Sequence, residues 1–221
     1  MRKEDLDKVI SILREEFPKW NAPVVSLIAQ KTGDPFRVLV CALISTRTKD
    51  ETTAVVCKKL FERIKGVEDL HKIDQKELSE LLYPVGFYKN KAFFLKEIAK
   101  ELKEKYNSRV PDKLEELLKL KGVGRKVANL VLAEGYGIPA ICVDTHVHRI
   151  TNRWCLVKTK KPEETEHELT QILPKKYWIE FNKLLVAFGQ TICKPVKPLC
   201  HACPIREYCD YPTTKMQIRA S

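Results

Sequence analysis

The stretch LKGVGRKVANLVL, residues 120–132, decides how this sequence is interpreted. Two glycines, Gly122 and Gly124, stand two positions apart. Arg125 and Lys126 follow at once, and an apolar run at helical spacing comes next. The pattern predicts a helix, a tight turn and a second helix that begins near Gly124.

The two glycines of this hairpin suit a binding turn. Gly122 and Gly124 can take positive φ and let a ligand approach the backbone closely. Amide groups at the start of a helix favour an anion, and a DNA phosphate is the natural occupant, with Lys121 or Arg125 adding charge. The turn lacks the Gly-Lys-Ser/Thr ending of a nucleotide-binding loop, which disfavours ATP. Ordinary helical hairpins also use glycine, and from the residues alone Lys126 is either another phosphate contact or a nucleophile.

Composition favours a helical protein with a polyanionic partner. The 221 residues include 40 Lys and Arg against 29 Asp and Glu, which gives a net charge of +11 and a pI near 9.2. A positive surplus of this size favours nucleic acid. Only 8 residues are glycine, and strand-like alternation is rare. We therefore expect an all-α fold of helices joined by short turns.

The sequence also bears on location. No window approaches the length of apolar residues that a membrane-spanning helix needs, so we expect no membrane association. The N-terminus, MRKEDLDKVISILREEFPKW, lacks the apolar core of a signal peptide and is typical of an amphipathic helix. We expect a monomer in a prokaryotic cytoplasm, associated with the nucleoid. Eight cysteines in a reducing compartment indicate metal binding in preference to disulfides.

Hydrophobic periodicity and capping residues predict the helices. A nearly all-apolar helix begins at Asp34-Pro35 and should be buried. Thr48 or Asp50 is expected to cap the next helix, and Pro111 with Asp112 to open another that ends near Leu118. The remaining predicted helices cover residues 3–17, 24–31, 50–64, 75–82, a long segment after the turn at 84–87, the segment after the glycine turn as far as Gly135 and Gly137, and residues 145–155, 161–171 and 175–189.

The tail CKPVKPLCHACPIREYC, residues 193–209, holds four cysteines close together. Four thiolates at such short separations can bind one metal centre, either an iron–sulfur cluster or zinc. Zinc ribbons usually use two Cys-x-x-Cys pairs, and this tail has only one. The proposed ligands are Cys193, Cys200, Cys203 and Cys209. The other four cysteines, Cys41, Cys57, Cys142 and Cys155, are expected to be small buried hydrophobes.

Two lysines lie in the loop between the first two of these cysteines. Lys194 and Lys197 are therefore held near a metal-stiffened turn, where they can contact phosphates. The alternative is a solvated loop without a ligand.

Three motifs in one order closely resemble the endonuclease III family of DNA repair glycosylases, within the helix-hairpin-helix superfamily. They are LKGVGRKVANLVL, then VDTHVHR at 143–149, then the cysteine pattern C-x6-C-x2-C-x5-C. The similarity extends from about DPFRVLVCALIS to the last cysteine. It implies two helical domains that flank a DNA-binding groove: a six-helix barrel with the hairpin at 26–137, and an iron–sulfur domain with a 4Fe-4S cluster at 1–25 and 138–221.

The resemblance also implies an activity and a catalytic pair. The family's catalytic lysine falls on Lys126 and its catalytic aspartate on Asp144. The implied partner is double-stranded DNA with a damaged base or an abasic site. Lys126 would attack the sugar of a flipped, oxidised pyrimidine nucleotide, and the resulting Schiff base would permit β-elimination. Asp144 has a second possible role, as the N-cap of the helix THVHRI.

Three further positions are implied as DNA contacts. The family inserts side chains into the gap that a flipped base leaves, and the matching positions here are Arg47 and Phe87. A glutamine is common at the first position and an aliphatic residue at the second, so lesion preference is open. Phe87 as a core aromatic is the alternative. His146, beside Asp144, is also expected to contact DNA, unless it serves only the helix start.

Three rival functions remain from the sequence. The first is a mismatch glycosylase of the same superfamily, although such enzymes usually lack a lysine at the position of Lys126. The second is a DNA-binding protein that keeps the fold and the cluster without catalysis. The third is an RNA-binding protein or transcription factor with a zinc tail.

Overall fold

Every regular element is helical in the computed structural model, which describes residues 1–211. The predicted all-α class is confirmed. The α-helices of these residues are α1 Leu6–Glu16, α2 Val24–Thr32, α3 Pro35–Ser45, α4 Asp50–Arg63, α5 Val67–Lys72, α6 Gln75–Leu82, α7 Tyr88–Lys105, α8 Leu114–Leu117, α9 Arg125–Leu130, α10 Thr145–Arg153, α11 Pro162–Ile172 and α12 Trp178–Thr191.

The chain divides into two compact units. The central unit is Val24–Ala140, and the terminal unit consists of Met1–Pro23 together with residues 141–211. The terminal unit therefore combines two segments that are far apart in the sequence. None of the helices in residues 1–211 combines the length and the apolar character that a bilayer crossing needs.

Helix α3 lies at the centre of the central unit. Its N-cap is Asp34, whose side chain accepts a hydrogen bond from Phe36 N at 2.9 Å, and Pro35 occupies the first helical position. All residues from Val38 to Ile44 are buried. Helix α3 can be apolar on every side because it packs against α2, α4, α7 and α9.

Helix α7 connects the hairpin with the rest of the central unit. It packs against α5 and α6 and also contacts α3. Its buried face carries Leu95, Ile98 and Leu102 at helical spacing. Lys91 lies on the same buried face, one turn nearer the start of the helix. A charged side chain in this position needs polar partners.

The terminal unit has its own hydrophobic core. Trp154, Phe181 and Phe188 are fully buried there, together with apolar residues of α1. Helices α10 and α12 pack against each other, and α1 packs on α12. This arrangement places the start of α10 and the cysteine-rich tail after α12 within one unit.

Two sequence predictions about helix starts were wrong, and one helix was missed. The N-cap of α4 is Lys49, without a side-chain cap, and the Thr48 hydroxyl bonds Thr46 O instead. Pro111 and Asp112 precede α8, since its N-cap is Lys113. Helix α5 was not predicted because six residues are too few to show a helical period.

One predicted burial was also wrong. Cys41, Cys57 and Cys142 are buried as expected, whereas Cys155 is exposed. Cys155 has a φ of 54°, in the left-handed region, just after α10 ends at Arg153. The chain reverses there, which turns this side chain away from the core.

Candidate functional site

The glycine motif forms the hairpin that the sequence predicts. Helix α8 leads into a turn, and α9 continues into a π-helical turn at Val131–Gly135. Gly122 has a φ of 78°, as expected, but Gly124 has a φ of −95° in the extended region. The prediction of positive φ is therefore right for Gly122 and wrong for Gly124.

The two glycines serve different purposes. A Cβ on Gly122 would lie 2.6 Å from Cγ of Phe94, so the missing side chain lets the turn lie against α7. A Cβ on Gly124 would meet nothing within 4 Å. Gly124 therefore keeps open space in front of the backbone at the start of α9, where amide groups favour an anion.

Lys126 is half-buried in the first turn of α9, whereas Lys121 and Arg125 are exposed. Burial and, to a smaller extent, the positive charge of Lys126 together lower the pKa of Lys91 on α7 to about 8. The charges of the two lysines therefore act on each other. The hairpin is therefore locally electropositive, as a phosphate-binding turn should be.

Arg47 and Phe87, the two predicted gap-filling residues, lie together. The Arg47 guanidinium lies 5.4 Å from the centroid of the Phe87 ring. Both residues are exposed, Phe87 by 59%, so the alternative of Phe87 as a core aromatic is wrong. Their φ values are 51° and 59°, a conformation that bulky side chains seldom adopt.

Sequence reasoning missed Lys91 as a site residue. Its Nζ donates hydrogen bonds to the carbonyl oxygens of Ile44 and Thr46 and to Thr48 Oγ1, in the segment that carries Arg47. A signal was available, since Lys91 interrupts the apolar stripe of α7. A lone lysine at such a position indicates a specific set of acceptors.

Asp144 is the N-cap of α10. Its Oδ1 accepts hydrogen bonds from His146 N and Val147 N, both at 2.9 Å. The side chain is half-buried, and its backbone is extended, as an N-cap requires. The capping role proposed from sequence is therefore present, and it fixes the orientation of the carboxylate.

His146 packs inside the terminal unit. Its Nδ1 lies 3.2 Å from Nη2 of Arg149. A Cβ on Gly189 would lie only 2.5 Å from the same nitrogen, so α12 approaches the imidazole closely. These contacts give His146 a structural role at the start of α10, beside its predicted contact with DNA.

The four tail cysteines line one cavity. Burial raises the pKa of both Cys203 and Cys209 to about 11, and neighbouring cysteine thiolates raise it as well. Trp154 and Phe188 form an apolar wall. Four soft sulfur donors around an apolar cavity suit an iron–sulfur cluster. Within residues 1–211, no three His, Cys, Asp or Glu side chains are grouped closely enough to hold a single metal ion.

Two arginines one turn apart on α10 hold the loop at Cys193. Arg149 Nη2 donates to Cys193 O at 2.9 Å. Arg153 Nη1 donates to Lys194 O at 2.7 Å and lies 3.4 Å from Cys193 Sγ, and its Nη2 donates to Pro195 O at 2.7 Å. The sequence interpretation missed both arginines, although their spacing of four on one helix was a usable signal.

The predicted loop lysines lie beyond these contacts. Lys194 and Lys197 are both exposed, and Lys197 has a φ of 54°. The arginine bonds fix the backbone of this loop, so its exposed side chains project from an ordered turn.

Family models match two parts of the chain. Residues 40–175 match the HhH-GPD superfamily of base excision DNA repair proteins, and residues 193–209 match the iron-sulfur binding domain of endonuclease III. The second match begins at Cys193 and ends at Cys209.

The chain belongs to the endonuclease III family. Endonuclease III of Thermotoga maritima is 50% identical over 82% of this chain and 85% of its own length. A solved covalent intermediate of endonuclease III trapped on DNA is 31% identical, covers 98% of this chain and 99% of its own, and has a TM-score of 0.87. A thermostable thymine-DNA glycosylase is 25% identical, covers 96% of this chain and 98% of its own, and has a TM-score of 0.82.

These findings confirm the family, the fold and the cofactor that the sequence predicts. This endonuclease III carries a 4Fe-4S domain in its C-terminal region, so the zinc interpretation is set aside. DNA is its partner. It is a bifunctional DNA glycosylase and AP lyase of base-excision repair, which removes the binding-only rival.

The hairpin glycines yield a first prediction. Gly122→Ala should destabilise the protein by about 1–3 kcal/mol, because alanine is strained at this φ and its methyl group would displace the Phe94 ring. Gly124→Ala is the matched control and should leave stability within about 0.5 kcal/mol, since its backbone is extended and faces open space. Chemical unfolding of both variants measures the difference, and equal losses would contradict this account.

A second prediction concerns Arg153. Arg153→Met should lower the occupancy of the cluster, because it removes the bonds that hold the Cys193 loop. Iron content and visible absorbance per chain measure the occupancy. Arg206→Met removes the same charge from an exposed position between Cys203 and Cys209 and should retain the cluster. A full cluster in both variants would show that the Arg153 contacts are dispensable.

Proposed function

We propose that Lys126 is the nucleophile with which this endonuclease III removes oxidised pyrimidines and then cleaves the abasic site. The observation that carries the proposal is the position of Lys126. Lys126 is half-buried in the first turn of α9. It follows the glycine turn, in which Gly124 leaves free space beside the backbone. The charge of Lys126 is near enough to lower the pKa of Lys91 on α7. The amine form of a lysine is the one that attacks.

The proposed reaction runs in two stages. The damaged nucleotide is flipped out of the duplex, and Lys126 Nζ attacks the sugar C1′. A bond forms between Nζ and C1′, the glycosidic bond breaks, and the base leaves with its electron pair and takes up a proton. The nitrogen then loses a proton, the bond between C1′ and the ring oxygen O4′ breaks, and O4′ takes up a proton, which leaves a protonated Schiff base between Nζ and C1′. Removal of a C2′ proton then expels the 3′ phosphate, which cuts the strand.

Asp144 is proposed as the second catalytic residue. Two backbone amides fix its carboxylate through Oδ1, so the group does not need to reorient during the reaction. A fixed carboxylate stabilises the positive charge that grows on the sugar as the base departs. Its capping role and its catalytic role are thus compatible.

DNA-backbone binding is proposed for several groups. The open backbone at Gly124, the turn at Gly122 and the exposed Lys121 and Arg125 suit one phosphate. Lys194 and Lys197 on the arginine-held loop suit another, and His146 lies at the start of α10. We propose the central unit as the helix-hairpin-helix domain and the terminal unit as the iron–sulfur domain.

Four cysteines are proposed as the cluster ligands. Cys193, Cys200, Cys203 and Cys209 line one cavity, and the iron-sulfur family match runs from the first to the last of them. The bound cluster would stiffen the tail loop, while the reaction at the sugar uses Lys126. We further propose that the protein acts as a monomer, at the nucleoid of a prokaryotic cytoplasm, where its charge of +11 favours DNA.

Borohydride trapping tests the nucleophile. The protein is incubated with a duplex that carries thymine glycol, and separately with an abasic duplex, and the Schiff base is reduced. A covalent complex is expected with both duplexes and should vanish in Lys126→Ala. Lys121→Ala is the matched control, because it removes an exposed hairpin lysine and should weaken binding while trapping persists. Trapping by Lys126→Ala at the wild-type level would contradict the assignment.

Substitution of single cysteines tests the ligand set. Cys200→Ser should reduce the iron content and the visible absorbance, because serine is a poor ligand for iron–sulfur clusters. Cys155→Ser is the control, since Cys155 is exposed and outside the cavity lining. Equal iron content in the two variants would remove Cys200 from the ligand set.

A further inference from the structure

Lys91 of α7 makes three hydrogen bonds from a side chain that is almost fully buried. Its side chain is only 4% exposed. Its Nζ lies 2.7 Å from Ile44 O, 2.5 Å from Thr46 O and 3.1 Å from Thr48 Oγ1. An ammonium group has three hydrogens to donate, and all three find acceptors in one short segment.

This segment, residues 44–48, is where α3 ends. The last carbonyl groups of a helix lack partners within the helix, and a positive charge is favourable there. Lys91 supplies both a donor and a charge. It also bonds the chain beyond the helix end, at Thr46 and Thr48, so the direction in which the chain leaves α3 is fixed by a residue of α7.

Arg47 stands in the middle of this segment. Its φ of 51° is in the left-handed region, which costs energy for an arginine and persists only where surrounding contacts impose it. Thr46 and Thr48, the neighbours on each side, are both bonded to Lys91. Thr48 N also donates to Ser45 O, so the backbone is bonded on both sides of Arg47.

Phe87 is held against the same segment from the other side. A Cβ on Gly86 would lie 2.7 Å from Arg47 O, so the two loops touch backbone to backbone. Phe87 also has a left-handed backbone, and its ring faces the Arg47 guanidinium at 5.4 Å. An exposed phenylalanine stacked with an arginine is a flat, rigid group of the kind that fits between bases.

We propose that Lys91 is a positioning residue, which fixes residues 44–48 so that Arg47 and Phe87 enter damaged duplex DNA as one preformed unit. The inference rests on the proposed function, in that a flipped nucleotide leaves a gap to be filled. It adds that the two side chains act together and that a buried lysine sets their position. Without Lys91, the carbonyl groups of Ile44 and Thr46 lose the ammonium donor, and the Arg47 segment relaxes.

The alternative route from Lys91 to activity is electrostatic. The positive charge of Lys126 lowers the pKa of Lys91, so loss of the Lys91 charge would change the electrostatic environment of the nucleophile directly. The two routes predict that the loss of activity will appear on different DNA substrates. A single strand with an abasic site has no gap to fill but still needs the nucleophile, whereas a duplex needs both.

The test compares Lys91→Met with a matched variant on the same helix. Lys96 Nζ also donates to carbonyl groups at a helix end, those of His71 and Ile73 beside α5. Lys96→Met therefore removes a similar set of bonds away from Arg47 and Phe87. Single-turnover rates are measured on a thymine glycol duplex and on single-stranded abasic DNA. Fluorescence of 2-aminopurine placed opposite a tetrahydrofuran abasic analogue reports gap filling without catalysis.

We expect Lys91→Met to lose about tenfold on the duplex and to stay within about twofold on the single strand. Its 2-aminopurine response should fall, while Lys96→Met should match the wild type in all three measurements. Adding Phe87→Ala to Lys91→Met should cost much less than Phe87→Ala alone, because the pair is already disengaged. Thr48→Val removes one of the three acceptors of Lys91 and should give a smaller loss on the duplex. It replaces Lys91→Met as the test variant if Lys91→Met folds poorly.

Three outcomes would overturn the proposal. Equal losses on duplex and single strand, with a shifted pH profile on the single strand, would show that Lys91 acts through its charge on Lys126 and not through the position of Arg47 and Phe87. Equal losses in Lys91→Met and Lys96→Met would show a general effect on stability. A normal 2-aminopurine response in Lys91→Met would show that the pair does not depend on Lys91. If the wild-type protein cut neither substrate, the proposed function would fail, and the fluorescence measurement would still decide the role of Lys91.

Discussion

The burial of residues 38–44 of α3 on every side is the constraint on which the central unit depends. A helix that is apolar on every side must be surrounded, and α2, α4, α7 and α9 surround it. Burial leaves its terminal carbonyl groups without water, so they need donors from the protein. Lys91 of α7 supplies that donor, and Asp34 caps the opposite end. The helix that organises the core therefore also determines where the Arg47 segment leaves it.

The hairpin shows how the packing of helix α7 also positions candidate catalytic residues. Phe94 of α7 lies where a side chain on Gly122 would be, so the glycine turn is seated on the helix that also carries Lys91. Lys126 lies four residues after Gly122. Helix α7 thus contacts both the glycine turn and the Arg47 segment. The same helix therefore helps to position the candidate nucleophile and the candidate gap-filling pair. In the terminal unit, α10 has a similar function, since it begins at Asp144 and carries Arg149 and Arg153 toward the cysteine loop.

Sequence reasoning predicted features that are encoded locally. The apolar run of α3, the cap at Asp34 and the turn at Gly122 are each visible within a dozen residues of sequence, and the structure places them as expected. The cysteine spacing is also a local pattern, within residues 193–209. Features that depend on partners distant in sequence were missed. The bonds from Lys91 span more than forty residues, as do those from Arg149 to Cys193. The unpredicted extended backbone of Gly124 follows from the path of the turn, which residue type alone does not determine.

The contrast between the two glycines separates two kinds of selection. Gly122 is required by the fold, through its φ of 78° and the Phe94 ring. Gly124 is in a conformation that any residue can adopt, and no protein atom occupies the space beside it. If variants were selected for stability alone, position 124 would accept other residues while position 122 would stay glycine. Selection for DNA processing should restrict both positions. The tolerance of residue 124 to substitution therefore indicates how strongly binding of DNA, and not the fold, requires a glycine there.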